Sequence, residues 1–465
     1  MAERKSRPAV SPLMRDLAAY IAGALRTPLP RPVAEKTKHQ VLDTIAAMIS
    51  GAKLLPGRKA IAYVRTLGEV KEATVAGSKV MTSAVHAALA NAMLAHADET
   101  DDSHAPSMMH PGCAIVPSAL AMAERGRRDG TALLRAVALG YDIAARINLS
   151  LHPQEFRLAG HLTHCFGPTF GATAAAAGLA RLDPRQVRHA LSYTAQQTSG
   201  VSTYPRDTDH IEKAFDFGGM AARNGVSAVT MVQAGCTGVE DVFSGERNFF
   251  VAFDESGRIG RPPEPHRVVE GLGVDYEILR TNIKRWSVGS PIQAPLDSLL
   301  ELIRAHGIQA RDVEKVSVRV SHNGAATVNN REMPDICMQH LCAVMLLDGI
   351  VTFESAHDER RMRAPKVLDV RRRIELSGDD ELQKLLPQRH GIVEIILRDG
   401  RRLRHHTKAV RGTADNPMTR EEVDEKCYHL VAPVLGQKRG RALCDAIWSI
   451  ERIKDARKLR PLLQA

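Results

Sequence analysis

Residues 96–112 read HADETDDSHAPSMMHPG and form a polar stretch between two apolar segments with helical patterns. The stretch holds three histidines, four carboxylates and three hydroxyl side chains, with no lysine or arginine. Titratable groups at this density are typical of a functional site. They are also typical of a helix end followed by a solvated loop, in which Asp and Ser cap the next helix. These residues alone leave both interpretations open.

The composition predicts a helical protein with more than one domain. Its 465 residues exceed the usual size of one domain, so two domains are expected. Hydrophobic residues make up 44% of the chain and aromatic residues only 4%, which predicts an aliphatic core. The seven cysteines are scattered and include no CxxC pair, which argues against a disulfide framework and a zinc ribbon. We therefore expect a reducing, cytoplasmic location.

The formal net charge of +10 indicates a preference for anionic partners. Nucleic acid is disfavoured, because few aromatic side chains could stack on bases and no nucleic-acid motif occurs. A small anionic substrate, such as a polycarboxylate or a phosphate, fits the charge at least as well. The amino-terminal segment lacks the apolar core of a signal peptide, and no apolar run reaches the roughly 18 residues that a membrane span needs. The sequence therefore predicts no membrane partner.

Helical patterns fill the first part of the chain, and we predict a helical domain over residues 1–274. Residues 160–182 read as a loop broken by glycine and proline, followed by an alanine-rich helix that should be buried among other helices. Asp183 and Pro184 have the types expected at the N-cap and first position of the next helix. Further helical patterns cover 11–25, 31–50, 83–95, 114–126, 131–147 and 213–235.

The pattern changes near residue 275, and we predict an α+β domain over 275–412. Val313–Ser321 alternates apolar and polar residues, as a half-buried strand does. Residues 392–410 contain two strand-like runs that meet at Asp399-Gly400, a strong hairpin signal. The predicted fold class is therefore mainly α with a smaller α+β domain. The remaining helical patterns cover 295–306 and 336–350, and those within 413–465 are expected to return to the helical domain.

No motif of a common catalytic class occurs in the sequence. HExxH, the phosphate-binding GxxxxGK[ST] and the nucleophile elbow GxSxG are all absent. His104 and His110 are six residues apart, a spacing that does not put two metal ligands on one helical face. A loop could still bring them together, so a metal site is left open but is not favoured.

Other polar residues in apolar or glycine-rich surroundings are His161, His164, Lys213 and Lys284. Each one alone is an ordinary loop histidine or surface lysine. Together they match the needs of elimination or proton transfer beside a carboxylate. That chemistry needs a base for a weakly acidic C–H bond, cations for the carboxylates and an acid for a leaving hydroxyl. Histidines and two lysines could supply these roles without a metal.

Six segments, in the same order, resemble the MmgE/PrpD family, which includes 2-methylcitrate dehydratase, cis-aconitate decarboxylase and iminodisuccinate epimerase. His96–Pro111 is similar to the family's H-A-x-D-x-D-D-T-H…H-P element. Glu212–Gly225 resembles its T-K-x-x-H-A-G element. The other four similar segments are Gly160–Ala177, Lys284–Trp286, 338–351 and 415–427.

The resemblance implies a large helical domain, an α+β lid and an active site in the cleft between them. It implies a homodimer with no metal and no organic cofactor. It implies a cofactor-free lyase, a dehydratase of the 2-methylcitrate dehydratase type, acting on a small di- or tricarboxylate. His110 would transfer the proton, Asp102 and Ser103 lie on the active-site segment, and Lys213 and Lys284 would bind substrate carboxylates.

Departures from the family pattern leave the substrate open. Glu99 stands where the family has Asp, and Asp216 stands where it has the His of K-x-x-H-A-G. The His of the family's G-F-H element has no clean counterpart, since His161 is one place early and His164 two places late. We assign these four residues, with His104, to substrate binding. Three alternatives remain: an isomerase or epimerase, a decarboxylase, and a non-catalytic binding protein with the same fold.

Overall fold

The chain divides into two units in the computed structural model, which describes residues 10–68 and 70–465. Part of the predicted amino-terminal segment, residues 1–9, lies outside this description. The divisions fall at 281/282 and 426/427, where the sequence predicted 274/275 and 412/413. The first unit comprises the described residues up to Ala97, Asp102–Thr281 and Cys427–Ala465, and the second comprises Asp98–Asp101 and Asn282–Lys426.

The described residues of the first unit form helices and one short β-hairpin, in which Ala73–Thr74 pairs antiparallel with Met81–Thr82. Several helices begin at a side-chain cap. The oxygens of Ser83, Asp129 and Asp183 accept hydrogen bonds from backbone N–H groups in the first turn. The helices span Pro12–Gly23, Arg31–Gly51, Leu55–Arg65, Ala84–Ala95, Gly112–Arg125, Gly130–Ser150, Pro153–Leu158, Thr163–Ala180, Pro184–Gln197, Ile211–Ala214, Met220–Gln233, Phe249–Ala252, Ser256–Ile259, Gln437–Trp448 and Arg460–Leu463.

The helix Thr163–Ala180 is buried along almost its whole length. It packs most extensively against the helices Gly130–Ser150 and Met220–Gln233. Glycine permits this approach, because a Cβ on Gly171 would lie 2.4 Å from the carbonyl oxygen of Gly140. The predicted burial of an alanine-rich helix among other helices is confirmed.

The predicted loop at the start of residues 160–182 is wrong beyond Leu162. The helix already begins at Thr163 and continues through Pro168. Proline removes a backbone donor and crowds the preceding turn, which usually ends a helix. Pro168 lies close to the helix start, so few backbone hydrogen bonds are lost. Burial of Phe166 and Phe170 stabilises this turn through tertiary packing, which usually outweighs intrinsic propensity.

The carboxyl-terminal residues 427–465 are joined to the rest of the first unit by polar contacts. Arg460 Nε donates to Glu124 Oε2 over 2.6 Å, and Glu124 is buried. The backbone N–H of Gly130 donates to the carbonyl of Ile453 over 2.8 Å. Burial of Glu124 raises its pKa, while Arg460 and Thr74 partly oppose that shift. The buried carboxylate of Glu124 thus binds Arg460, the first residue of the last helix.

The second unit contains a four-stranded mixed sheet. Its spatial order is Ile374–Asp379, Val313–Ser321, Gly391–Leu397, Arg402–Thr407. The first pair of neighbours is parallel, and the other two pairs are antiparallel. The predicted strand at 313–321 and the predicted hairpin are confirmed. Gly400 adopts a φ of 86° in the hairpin turn, a conformation that favours glycine.

The strand Ile374–Asp379 was not predicted from the sequence. Its residues, IELSGD, carry only two apolar side chains and a glycine. It lies at the edge of the sheet, where it pairs with the valine-rich strand Val313–Ser321. The strand therefore depends on its neighbour, and its own sequence has little β propensity.

Helices surround this sheet, so the chain is mainly α with a smaller α+β part, as the sequence predicted. Arg420–Leu435 contains the division between the units. Among the described residues, no helix has both the length and the apolar character needed to cross a lipid bilayer. The helices of the second unit span Ser290–His306, His322–Val328, Met338–Asp348, Phe353–Ala356, Glu359–Met362, Pro365–Arg371 and Asp380–Lys384.

Candidate active site

The polar stretch of residues 96–112 begins where the helix Ala84–Ala95 ends and stops where Gly112–Arg125 begins. Within it, His104 and Met109 pair as an isolated antiparallel bridge, with N···O distances of 2.8 and 3.3 Å. Met108 adopts a φ of 52° to complete this tight loop. The bridge fixes the backbone directly before His110, so the direction of that side chain is set by local structure.

Asp102 closes the loop. Its Oδ1 accepts the backbone N–H of Gly112 over 2.9 Å, and its Oδ2 accepts the hydroxyl of Tyr141 over 2.7 Å. Burial and the neighbouring Asp102 raise the pKa of Tyr141 well above its usual range, so this hydroxyl stays a donor. Both oxygens of Asp102 are thus engaged by the protein, which makes it a positioning group. Ser103, beside it, is half-buried.

Three histidine rings contact Phe217, and a fourth, His210, lies 5.3 Å from the ring of His96. We call this group the histidine cluster: His96, His110, His164, His210 and Phe217. The rings of His164 and His96 stack on Phe217, with centroids 3.7 and 4.5 Å from it. His110 meets Phe217 edge-on at 5.6 Å and lies 5.3 Å from His164. The predicted site residues His110 and His164 are therefore neighbours.

Cationic groups surround this cluster. Lys213 Nζ lies 5.1 Å from the ring centroid of Phe217 and 5.8 Å from that of Tyr204. Arg157 donates to the Tyr204 hydroxyl over 2.6 Å. Lys213 and Arg157 therefore place two cationic groups beside the rings, which suits an anionic ligand.

The pKa of His164 reflects its burial and these cations. Burial lowers its pKa well below the usual range, and His110, Arg157, His96 and Lys213 lower it further. Its Nδ1 is buried and has no hydrogen-bond partner among the described residues. A neutral imidazole with an unsatisfied nitrogen beside His110 offers a ligand a hydrogen bond.

An irregular backbone holds Phe217 in place. Residues Phe215–Gly219 form a π-helical turn, a feature often found at functional sites. Cys165 Sγ donates to the carbonyl of Asp216 over 2.8 Å, and Cys113 Sγ donates to that of Phe217 over 3.3 Å. His210 precedes the turn with a φ of 59°, in the left-handed region that few histidines adopt. The two thiols thus satisfy carbonyls that the irregular turn exposes.

Asp216 lies within this π-helical turn, next to Phe217. Burial, together with the charges of Glu212 and Asp207, raises its pKa to about 7. Near neutral pH the Asp216 carboxyl group is therefore uncharged in a large fraction of the molecules. The family's histidine is replaced here by a carboxyl group that repels an anion less than an ordinary aspartate would.

Two predicted substrate-binding histidines do not join the histidine cluster. His104 is fully buried, and its ring nitrogens contact Ser107 Oγ at 2.7 Å and Glu277 Oε2 at 3.1 Å. His161 stacks on Phe156 at 4.2 Å and bonds to Glu255 at 2.8 Å. Both rings are used by the fold of the first unit, and their role in substrate binding stays a prediction.

The remaining predicted residues, Glu99 and Lys284, belong to the second unit. Lys284 Nζ donates to the Glu99 carbonyl over 2.8 Å and lies 3.3 Å from Glu99 Oε2 and 3.8 Å from Asp101 Oδ1. Burial acts to lower the pKa of Lys284, but Glu99, Asp101 and Asp98 raise it above the usual value. Its ammonium is thus neutralised by the protein's own carboxylates, and its predicted contact with a substrate carboxylate is untested.

Residues Asp98–Asp101, which we call the acidic segment, contact two further cationic side chains of the second unit. His357 Nε2 lies 2.9 Å from Asp98 Oδ2, and Lys426 donates to the Thr100 carbonyl over 3.2 Å. Burial acts to lower the pKa of His357, but the hydrogen bond and charge of Asp98 raise it to about 9. The segment is therefore a largely neutralised ionic network.

Sequence reasoning did not assign roles to several residues of the first unit that the structure brings together. His96, His210, Phe217 and Tyr204 belong to or border the histidine cluster. A histidine directly after an apolar helix was visible at His96, but no sequence rule predicts a π-helical turn at FDFGG. Lys36 was also missed: burial lowers its pKa to about 8, while Asp102 and Asp43 oppose the shift.

Comparison with known proteins gives a consistent picture over nearly the whole chain. The MmgE/PrpD N-terminal domain matches residues 15–260, and the MmgE/PrpD C-terminal domain matches residues 286–451. A cis-aconitate decarboxylase of Aspergillus terreus is 23% identical over 463 residues, covering 94% of this chain and 92% of the relative. A cis-aconitate decarboxylase-like protein of Aspergillus oryzae, oryM, is 22% identical over 480 residues, covering 96% of both chains.

Proposed function

The chain belongs to the MmgE/PrpD family, and we propose that it is a lyase that releases carbon dioxide from a small di- or tricarboxylate. Family membership supports lyase-type chemistry in general. The names of the relatives favour a carboxy-lyase over the hydro-lyase expected from the sequence. The observation that carries the proposal is the histidine cluster, where His110 lies beside a neutral, buried His164 with Arg157 and Lys213 nearby.

Substrate carboxylates would bind through the cations around this cluster. Lys213 and Arg157 contribute positive charge, and the Tyr204 hydroxyl is held by Arg157. The partly protonated Asp216 lowers the local negative charge. In a partly dehydrated pocket such charges attract a carboxylate more strongly than they would in water. A polycarboxylate offers several groups for these contacts.

His110 is the proposed proton donor to carbon. As the bond between a carboxylate and its neighbouring carbon breaks, carbon dioxide leaves and the electron pair stays in the carbon skeleton. That pair takes one proton from the imidazolium of His110, and solvent returns a proton to the ring. The product therefore has one carboxylate fewer and one new C–H bond. Asp102 and Tyr141 support this step by fixing the loop that carries His110.

The resemblance to the family implied no metal and no organic cofactor, and this stays a prediction. The predicted homodimer and cytoplasmic location also remain predictions. A metal requirement is tested by measuring turnover before and after treatment with a chelator. Unchanged turnover is expected, whereas loss of turnover that returns with a divalent ion would contradict this part of the proposal.

A substrate panel followed by NMR in heavy water tests the reaction. The panel contains cis-aconitate, 2-methylcitrate and citrate, each incubated with the purified protein. We expect one member to lose carbon dioxide and to gain one deuterium on carbon. Loss of water would replace the proposal with a hydro-lyase, and deuterium uptake alone would replace it with an epimerase or isomerase. No reaction and no change in melting temperature with any member would contradict the polycarboxylate assignment.

A further inference from the structure

A cavity of about 400 Å³ lies in the first unit and shares no lining residue with the histidine cluster. Its walls come from the end of the helix Pro12–Gly23, the helix Gly130–Ser150 and the loop that contains Leu272–Tyr276. The volume is within the range of small-molecule sites. The proposed lyase reaction gives this cavity no role. We call it the arginine pocket, and its main lining residues are Tyr20, Arg26, Arg135, Leu139, Leu272 and Tyr276.

Two guanidinium groups, those of Arg26 and Arg135, line the arginine pocket. Arg135 Nη1 donates to the Leu25 carbonyl over 2.8 Å, which leaves its other donors for a ligand. Arg26 is exposed. Within residues 10–68 and 70–465, neither arginine has a carboxylate within 4.0 Å. Planar guanidinium groups bind phosphate and carboxylate through paired hydrogen bonds, so the pocket suits an anion.

The other walls are aromatic and aliphatic. Tyr20 and Tyr276 are half-buried, and Leu139 and Leu272 complete the lining. Burial raises the pKa of both tyrosines, and the nearby Asp142 raises it further. Their hydroxyls therefore stay protonated and can donate hydrogen bonds. These walls provide planar apolar surface beside the two arginines, which an inorganic ion alone would leave uncovered.

We propose that the arginine pocket binds a small molecule that carries both a phosphate and a planar aromatic group, of the size of a nucleoside monophosphate. The phosphate lies against Arg26 and Arg135, and the ring packs against Tyr20 and Tyr276. This inference concerns binding alone and does not depend on the proposed lyase activity.

The pocket is connected to the polar stretch of residues 96–112 by a short chain of contacts. Arg146 donates to the Asp275 carbonyl over 2.8 Å and pairs with the buried Asp142 at 2.9 Å. Tyr276 precedes Glu277, whose carboxylate contacts the ring of His104 at 3.1 Å. The pocket and the loop that ends at His110 are therefore parts of one contact network within the first unit.

Isothermal titration calorimetry of the full-length protein with adenosine 5′-monophosphate tests the proposal. We expect saturable binding with a Kd below about 1 mM, and inorganic phosphate should bind at least about tenfold more weakly because it leaves the aromatic walls uncovered. Phenyl phosphate distinguishes recognition of any aromatic phosphate from recognition of the nucleoside. Equal affinity for inorganic phosphate would overturn the aromatic part of the proposal, and no binding of either phosphate ester would overturn all of it.

A variant pair locates the binding. Arg26→Met combined with Arg135→Met should weaken adenosine 5′-monophosphate binding by about tenfold or more, since each guanidinium contributes charge-assisted hydrogen bonds. Arg65→Met is the matched control, because Arg65 is exposed and lies outside the pocket lining. Equal weakening of nucleotide binding in the double variant and in Arg65→Met would contradict the assigned site. Displacement of the nucleotide by a polycarboxylate that the enzyme turns over would assign the binding to the catalytic site and overturn the proposal.

Discussion

The histidine cluster and the acidic segment contain residues from one stretch of sequence but differ in the charged side chains that surround them. His96 and His110 join a group of rings in the first unit, with Lys213 and Arg157 nearby. Asp98–Asp101 belongs to the second unit, where Lys284 and His357 balance its carboxylates. The cations beside the cluster suit an anion, whereas the cations around the acidic segment are bonded to its own carboxylates.

The two lysines show what this difference means for reading a sequence. Lys213 and Lys284 received the same predicted role, binding a substrate carboxylate. Lys213 lies over aromatic rings. Lys284 is 4% exposed and is bonded to Glu99. We therefore expect Lys213 to matter mainly for turnover and Lys284 mainly for stability.

The largest stability effect is expected from Lys284→Met. It leaves Glu99 and Asp101 buried without their cation, and breaking a buried ion pair typically costs about 3–5 kcal/mol. The chain has two tryptophans, of which Trp286 is in the second unit. Urea unfolding followed by Trp286 fluorescence in a Trp448→Phe background measures the change. Adding Glu99→Gln should restore part of the lost stability, and an unchanged midpoint for Lys284→Met would contradict the buried network.

A somewhat smaller effect is expected from the pH dependence at His357. Its pKa is raised from 6.5 to about 9 in the folded protein. The stabilisation is therefore complete below pH 6.5 and is lost as the pH rises through about 9. The shift corresponds to roughly 3 kcal/mol. The same fluorescence measurement between these pH values should show the decline, and His357→Gln should flatten it. An equal decline in that variant would assign the effect to another group.

Tyr141→Phe should have an intermediate effect. It removes the hydroxyl that donates to Asp102, which costs about 1–3 kcal/mol when a buried partner loses its hydrogen bond. It should also lower turnover, because the loop before His110 loses one of its two ties to Asp102. Tyr63→Phe is the control, since Tyr63 is 52% exposed. Thermal unfolding and turnover of both variants test this. Equal stability and equal turnover of Tyr141→Phe and Tyr63→Phe would show that the hydrogen bond from Tyr141 to Asp102 has no function.

The smallest stability effect is expected from Lys213→Met. Lys213 is half-buried, and we expect its substitution to destabilise the fold by about 1 kcal/mol, the typical effect of a point mutation. Turnover should nevertheless fall at least about tenfold, because a cation near the substrate carboxylates is lost. Steady-state kinetics and thermal unfolding separate the two effects. A large loss of stability with normal turnover would reverse the contrast drawn between the lysines.

Much of the fold could be predicted because local patterns carry it. The alternation at Val313–Ser321, the Asp399-Gly400 turn and the alanine-rich run within 160–182 each predicted an element that the structure contains. The helix through Pro168 and the edge strand Ile374–Asp379 depend on tertiary contacts, which a local pattern does not record. The same limit applies to the sites.

The sites were predicted less completely because their contacts span long distances in sequence. His110 and His164 could be proposed from residue type and resemblance. The pairing of Asp98 with His357, and of Glu99 with Lys284, joins residues far apart in the chain. The π-helical turn that presents Phe217 has no known sequence rule. The burial of Lys284 against Glu99 and Asp101 is a property of the fold alone.

The central claim is that proton transfer takes place at the histidine cluster, and a matched pair of histidine variants tests it most directly. His110 belongs to the cluster, whereas His161 stacks on Phe156 outside it. The measurement is kcat, with deuterium incorporation into product, for His110→Asn and His161→Asn on the substrate found in the panel. We predict that His110→Asn lowers kcat by about 100-fold or more, while His161→Asn keeps most of the wild-type rate. Normal turnover and deuterium incorporation by His110→Asn would contradict the claim.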